Sequence, residues 1–206
     1  MTTEKMTLSQ KKRIAIIEAA KITFTEFGVA ATSMDKLAEV AKVSKRTVYN
    51  HFETKEAIVM TLMADLWERS INHNVAKYQL DVPLHQQLTD LVLTEINFIN
   101  SNEYIELTRM AMGHFFYCPQ EMNQELMRVK NQEGATLRWI RAAMADGKLE
   151  IKDENVALMQ IHSLIKGPCF WPQVLQFSKQ LTEAELQEIA SEVALMFLCR
   201  YETKPS

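Results

Sequence analysis

The sequence predicts an all-α protein, and three observations carry that expectation. Glycine and proline number only five each in 206 residues, too few to supply the turns of a β-sandwich or barrel. Long stretches are rich in Ala, Leu, Met, Glu, Lys and Gln, which lose little side-chain freedom in a helix. Apolar residues recur at spacings of three and four rather than in alternation. The pattern divides into about nine helices.

The first helix is expected over residues 11–27, with Ile14, Ile17, Ala20, Phe24 and Phe27 at helical spacing and Gly28 at its end, where a left-handed cap favours glycine. Thr32 and Ser33 offer N-caps for a second helix over 34–41, whose Leu37, Val40 and Ala41 face inward. Ser44 caps a short third helix over 45–51, held down by Val48 and Phe52. Thr54 caps a fourth, with Ile58, Leu62 and Leu66 on one face. Past Tyr78 the helices lengthen, and they are expected at 84–100, 103–117, 120–146, 154–178 and 182–201. Pro168 and Pro172 remove backbone donors from the fourth of these, so a kink is expected near 168. Residues 202–206 are expected to fray. The chain divides into a head, 1–56, and a larger helical domain, 57–206.

Composition narrows the class. The first residues are polar, and the apolar run Ile14–Ile17 is broken by Glu18, which does not read as a signal peptide. No segment reaches the roughly 20 apolar residues of a membrane span. Three widely spaced cysteines, Cys118, Cys169 and Cys199, do not read as a disulfide framework, so a cytoplasmic protein with reduced thiols is expected. The net charge of −3 is unevenly spread: residues 1–60 carry ten Lys and Arg against seven Asp and Glu, whereas the remainder carries thirteen against nineteen. Attraction for phosphates is therefore concentrated in the head.

The informative segment is 33–58, SMDKLAEVAKVSKRTVYNHFETKEAI. Two short helices joined by a tight turn, the second polar on its outer face, have the form of a helix-turn-helix whose second helix enters the major groove. Lys45, Arg46, Thr47, Tyr49, Asn50 and His51 supply donors and small side chains to that face. Lys and Arg can donate to guanine O6 and N7, and Asn can pair bidentately with adenine. Tyr49, His51 and Lys55 suit phosphates, which set register and not sequence. Backbone amides at the helix starts near Ser33 and Thr54 suit phosphates too, and Ser44 caps the recognition helix itself.

The run from Ser44 to Phe52, followed by Lys55-Glu56 and preceded by Ala19, Phe24, Gly28 and Leu37-Ala38, resembles the N-terminal domain of the TetR family of bacterial regulators. Lys42 stands where that family often has glycine, so either the turn differs or Lys42 adds a phosphate contact. More weakly, Leu164-Ile165-Lys166-Gly167, Trp171-Pro172 and the closing Met196 to Tyr201 resemble the family's AefR-like C-terminal domain. The resemblance implies a homodimer formed through the last two helices, for which Leu158, Ile161, Ile165, Ile189, Val193, Met196 and Phe197 offer apolar faces. It also implies a small-molecule effector held in the helical domain and, by analogy, a repressor released from a palindromic operator.

Candidate pocket residues are Arg109, His114, Phe115, Phe116, Tyr117, Trp139, His162, Lys166, Phe170 and Trp171, although aromatic stripes at helical spacing are more often plain core. Abundant Met and aromatic residues favour an apolar or aromatic effector. His114 and Cys118 lie four apart, but two ligands fall short of a metal site, and no metal or cofactor is expected. No nucleophile, base and orienting group stand at a telling spacing, so an enzyme is not expected. A helical sensor acting through another protein remains the other alternative, opposed by the intact Lys45, Arg46 and Tyr49.

Overall fold

A computed structural model describes residues 6–73, 77–115 and 134–204. Among the described residues it contains ten helices: α1 Leu8–Ala31, α2 Met34–Val40, α3 Lys45–His51, α4 Lys55–His73, α5 Leu84–Ile99, α6 Asn102–Phe115, α7 Ala135–Ala145, α8 Glu154–Cys169, α9 Trp171–Val174 and α10 Glu183–Tyr201. The all-α expectation holds. The chain forms two compact units, one taking in the described residues of Met1–Leu66 and Glu106–Leu126, the other those of Trp67–Ile105 and Met127–Ser206. A boundary at 56/57 falls in the first turn of α4.

In the first unit, α1 begins earlier than its apolar pattern suggests. Thr7 and Gln10 form a reciprocal capping box that satisfies two of the free amides at the helix start. Its buried face is Ile16, Ala19, Ala20, Thr23 and Phe24, while Ile14 and Phe27 are exposed. Hydrophobicity misreads this face because one of its members is polar: the Thr23 hydroxyl is satisfied by the Ala19 carbonyl at 2.8 Å. Gly28 breaks the helix at φ 78, ψ 160, a mirror-image extended conformation open essentially to glycine alone, rather than the left-handed helical cap expected. Thr32 then ties the break, donating to the Gly28 carbonyl through both its N–H and its hydroxyl.

Ser33, Ser44 and Thr54 cap α2, α3 and α4 as expected, accepting from the amides of Lys36, Thr47 and Ala57. Between α2 and α3 the chain turns at Lys42, whose φ is 54. Val43 N–H reaches the Ala38 carbonyl and Lys42 N–H the Glu39 carbonyl, the paired bonds of a Schellman cap. The turn therefore keeps the geometry that favours glycine and places lysine in it. Gly147 ends α7 with the same pair of bonds and a φ of 71. Lys42→Gly is expected to stabilise the protein by roughly 1 kcal/mol by relieving the crowding between Cβ and backbone. A raised urea midpoint is the expected reading; a lowered one would mean that the lysine side chain more than offsets the strain.

In the second unit, α10 packs against α5 and α8. Its buried line is Leu186, Ala190, Val193, Ala194, Phe197, Leu198 and Tyr201, and the same unit buries Leu88, Leu91, Val92 and Ile96 of α5 and Ala157, Ile161 and Ile165 of α8. The expected helix over 154–178 is broken rather than kinked. Helix α8 stops at Cys169, Phe170 leaves helical geometry, and the short α9 ends in a further Schellman cap at Gln176, φ 60. Pro172 cannot donate to the carbonyl of Pro168, and the Gln173 side-chain amide does so instead at 3.2 Å. Residues 202 and 203 are not frayed: Glu150 N–H bonds to the Tyr201 carbonyl and Thr203 N–H to the Lys148 carbonyl. The segment between α7 and α8 belongs to neither helix and buries Leu149 and Ile151.

Candidate nucleic-acid interface

Helix α3 has seven residues, too few to persist alone, so its orientation comes from its cap and its anchors. Val48 is fully buried and Phe52, just past the C-terminus, nearly so. The Ser44 hydroxyl caps the first turn and lies 2.8 Å from the Thr47 hydroxyl. The guanidinium of Arg13 on α1 stacks over the Phe52 ring at 5.0 Å, bracing the exit of the helix. With Val48 inward, the opposite face falls to Lys45, Arg46, Tyr49 and Asn50, all exposed. Thr47 and His51 are half-buried at its edges, and Ser33 and Lys42 are exposed on the neighbouring turns.

The side chains on this surface differ in how far they are already engaged. Arg46 makes no ion pair among the described residues. The ammonium of Lys45 binds the Asp35 carboxylate, 2.7 Å from Oδ1 and 3.0 Å from Oδ2. That hydrogen bond, and then the negative charge behind it, raise the lysine above its ordinary pKa. Lys55 donates to the carbonyls of Val29 at 2.7 Å and Ala30 at 3.2 Å, tying the start of α4 to the end of α1 past its break at Gly28. Nothing in the sequence signals these bonds, which span 26 and 25 positions. Asp35 and Arg13 were also not legible as partners of the motif, because an acid in a first helical turn and a base on α1 read as ordinary surface charges.

The pocket candidates are dispersed. Trp139 on α7 is 2% exposed, donates its indole N–H to Gln87 Oε1 at 3.2 Å and meets the edge of Tyr78. Burial, and then a 2.6 Å hydrogen bond from its hydroxyl to Asp146, push the Tyr78 phenol up to about 12. His162 on α8 lies 3.4 Å from Glu95, which also accepts from Thr136. Lys166, Phe170 and Trp171 do come together: the rings are 4.8 Å apart at their centroids and the ammonium stands 6.0 Å from Phe170. Arg109 on α6, in the first unit, pairs with Glu106 at 2.7 Å. The backbone of His114 lies in the last turn of α6, while Phe116, Tyr117 and Cys118 lie outside the described residues. Cys169 is fully buried, and burial pushes its thiol up to about 11, the opposite of what a reactive thiolate needs.

The apolar residues named for the last two helices divide: Ile161, Ile165, Val193 and Phe197 are buried within the chain, Leu158 and Ile189 are half-buried, and Met196 is exposed. Val156, Met159 and Leu195, which the sequence reading did not single out, are 40–62% exposed on the same helices. No helix of the described residues is long and apolar enough to cross a membrane.

Residues 16–61 match the family described as bacterial regulatory proteins, tetR family, and residues 86–203 match the AefR-like transcriptional repressor, C-terminal domain. The crystal structure of a TetR family transcriptional regulator from Pseudomonas syringae pv. tomato str. DC3000 superposes with a TM-score of 0.76 at 34% identity, covering 94% of this chain and 98% of that one. A structure titled Flavonoid-responsive Regulator FrrA matches at 25% identity and a TM-score of 0.71, covering 94% of this chain and 98% of its own. The uncharacterized HTH-type transcriptional regulator YhgD of Bacillus subtilis (strain 168) is 27% identical over 150 residues, 69% of this chain and 71% of that protein. With its capped recognition helix and a C-terminal match over more than half its length, this chain belongs to the TetR family of DNA-binding transcriptional regulators.

Proposed function

We propose that the protein is a cytoplasmic, homodimeric repressor that reads a palindromic operator through α3 and is released by a small, largely apolar or aromatic ligand. The observation that carries this reading is the exposed face of α3, with Lys45, Arg46, Tyr49 and Asn50 outward and Val48 and Phe52 anchoring the helix from beneath. Arg46 is suited to guanine and Asn50 to adenine, while Thr47 and His51 flank them. Tyr49 and Lys42 suit phosphates. Lys55 acts mainly as a brace, since its ammonium already serves two carbonyls.

The exposed side chains Val156 and Met159 on α8 and Leu195 and Met196 on α10 support a dimer formed through those helices. A two-fold pair of recognition helices fits half-sites about 34–36 Å apart. The aromatic pair Phe170 and Trp171 with Lys166 beside it, together with the flavonoid response named for one structural relative, supports an aromatic effector. The effector shifts operator affinity only by the difference in its affinity for the two states.

Selection from a pool of random duplexes by the full chain tests the reading. An inverted repeat with half-sites one helical turn apart, bound by two chains, is the expected winner. Enrichment of nothing, or of a site without symmetry bound by one chain, would oppose it.

A further inference from the structure

Both acids of α2 are paired, but in different ways. Glu39 binds Lys36 of its own helix at 3.1 Å. Asp35 reaches across to Lys45, the first residue of α3, and engages it with both carboxylate oxygens. The N-terminal residues of a recognition helix are the ones that meet base edges, so this pair sits where DNA would arrive. The side chains remain 59% and 63% exposed, which limits what the pair adds to folding and leaves both groups open to an approaching duplex. Asp35 also occupies the first turn of α2, where the helix dipole favours a carboxylate with or without a cation beside it.

A lysine that neutralises a phosphate strengthens binding to any sequence, because it releases a condensed counterion. Lys45 has two courses on meeting DNA. If it stays on Asp35, the pair brings no net charge to the phosphates. If it swings to a phosphate, Asp35 is left as an uncompensated anion on a surface facing anions. Either way the carboxylate subtracts from the sequence-independent attraction, while Arg46 and Asn50, which have no bond to it among the described residues, keep their donors for the bases. We infer that Asp35 is a specificity-determining residue, holding Lys45 in an ion pair that suppresses binding to non-operator DNA. The inference rests on the reading of α3 as the recognition helix.

Full-length wild type, Asp35→Asn and the double variant Asp35→Asn/Lys45→Ala are titrated with a random-sequence duplex and with the selected duplex over a salt series. Asparagine keeps the shape of the side chain while giving up the carboxylate's favourable interaction with the helix dipole, and thermal unfolding confirms that each variant folds. Asp35→Asn is expected to tighten random-duplex binding about three- to tenfold and to steepen the salt slope by about 0.9, one phosphate contact. The gain is expected to vanish in the double variant, and the preference for the selected duplex to fall in Asp35→Asn. Unchanged or weaker random-duplex binding by a folded Asp35→Asn chain overturns the inference, as does a gain that survives loss of Lys45. Failure of wild type to prefer any duplex would instead remove the α3 reading itself, and the wild-type arm alone reports that.

Discussion

Arg46→Ala is expected to weaken binding to the selected duplex by about 1–3 kcal/mol, roughly five- to 150-fold, without moving the thermal unfolding midpoint. The guanidinium lies on the exposed face of α3 and has no ion pair among the described residues to give up. Its fork can engage guanine O6 and N7 together, and alanine would leave both acceptors without that bidentate, charge-assisted donor. Loss should concentrate at one base pair of each half-site, where specificity relaxes. Lys42→Ala, by contrast, should weaken selected and random duplexes alike, since a phosphate contact carries no sequence information. Uniform weakening by Arg46→Ala would reassign that side chain to the backbone.

Trp139→Ala is expected to destabilise the protein by about 3–5 kcal/mol, a large part of the roughly 5–15 kcal/mol that holds a typical domain. The ring is 2% exposed and meets Tyr78 of the same unit at a centroid distance of 6.0 Å. Its N–H meets Gln87 Oε1, and that amide in turn secures the turn before α5 through Gln79 and Val82. Truncation therefore opens a cavity and removes one tie from a polar cluster. Trp139→Phe keeps most of the buried ring, loses the N–H and is expected to cost about 1–2 kcal/mol. Urea unfolding at one fixed protein concentration checks both, because a dimer's apparent stability depends on concentration. A near-neutral Trp139→Ala chain with an altered ligand response would make the tryptophan a pocket wall instead of a core anchor.

The two helical units were legible in the sequence to different depths. Ser33, Ser44 and Thr54 could be read as caps because a side-chain oxygen before a helical run has one local use. Val48 and Phe52 could be read as anchors because so short a helix has few apolar residues to choose from. The buried face of α1 was misread, since Thr23 satisfies its hydroxyl within its own helix and so packs inward. The end of α8 was misread as a kink because the replacement of a proline's missing donor by the Gln173 side chain depends on a turn that has no signature in the sequence. Of the outward residues of α3, periodicity gave the positions but not their engagements. Lys45 and Lys55 look alike as letters, yet one is held by a carboxylate and the other by two carbonyls. On α8 and α10, apolar identity did not separate the side chains that fill the chain's own core from those left exposed, because both sets follow the same helical spacing.

The central claim is that α3 recognises DNA by sequence, and equilibrium binding of the wild-type chain to the selected duplex and to a shuffled duplex of equal length and composition tests it most directly. At about 0.15 M salt the account predicts a preference on the order of a thousandfold or more for the selected duplex. It also predicts that the preference largely disappears in an Arg46→Ala/Asn50→Ala chain that unfolds at the wild-type temperature. Equal binding of the two duplexes, or a preference untouched by those substitutions, would contradict it.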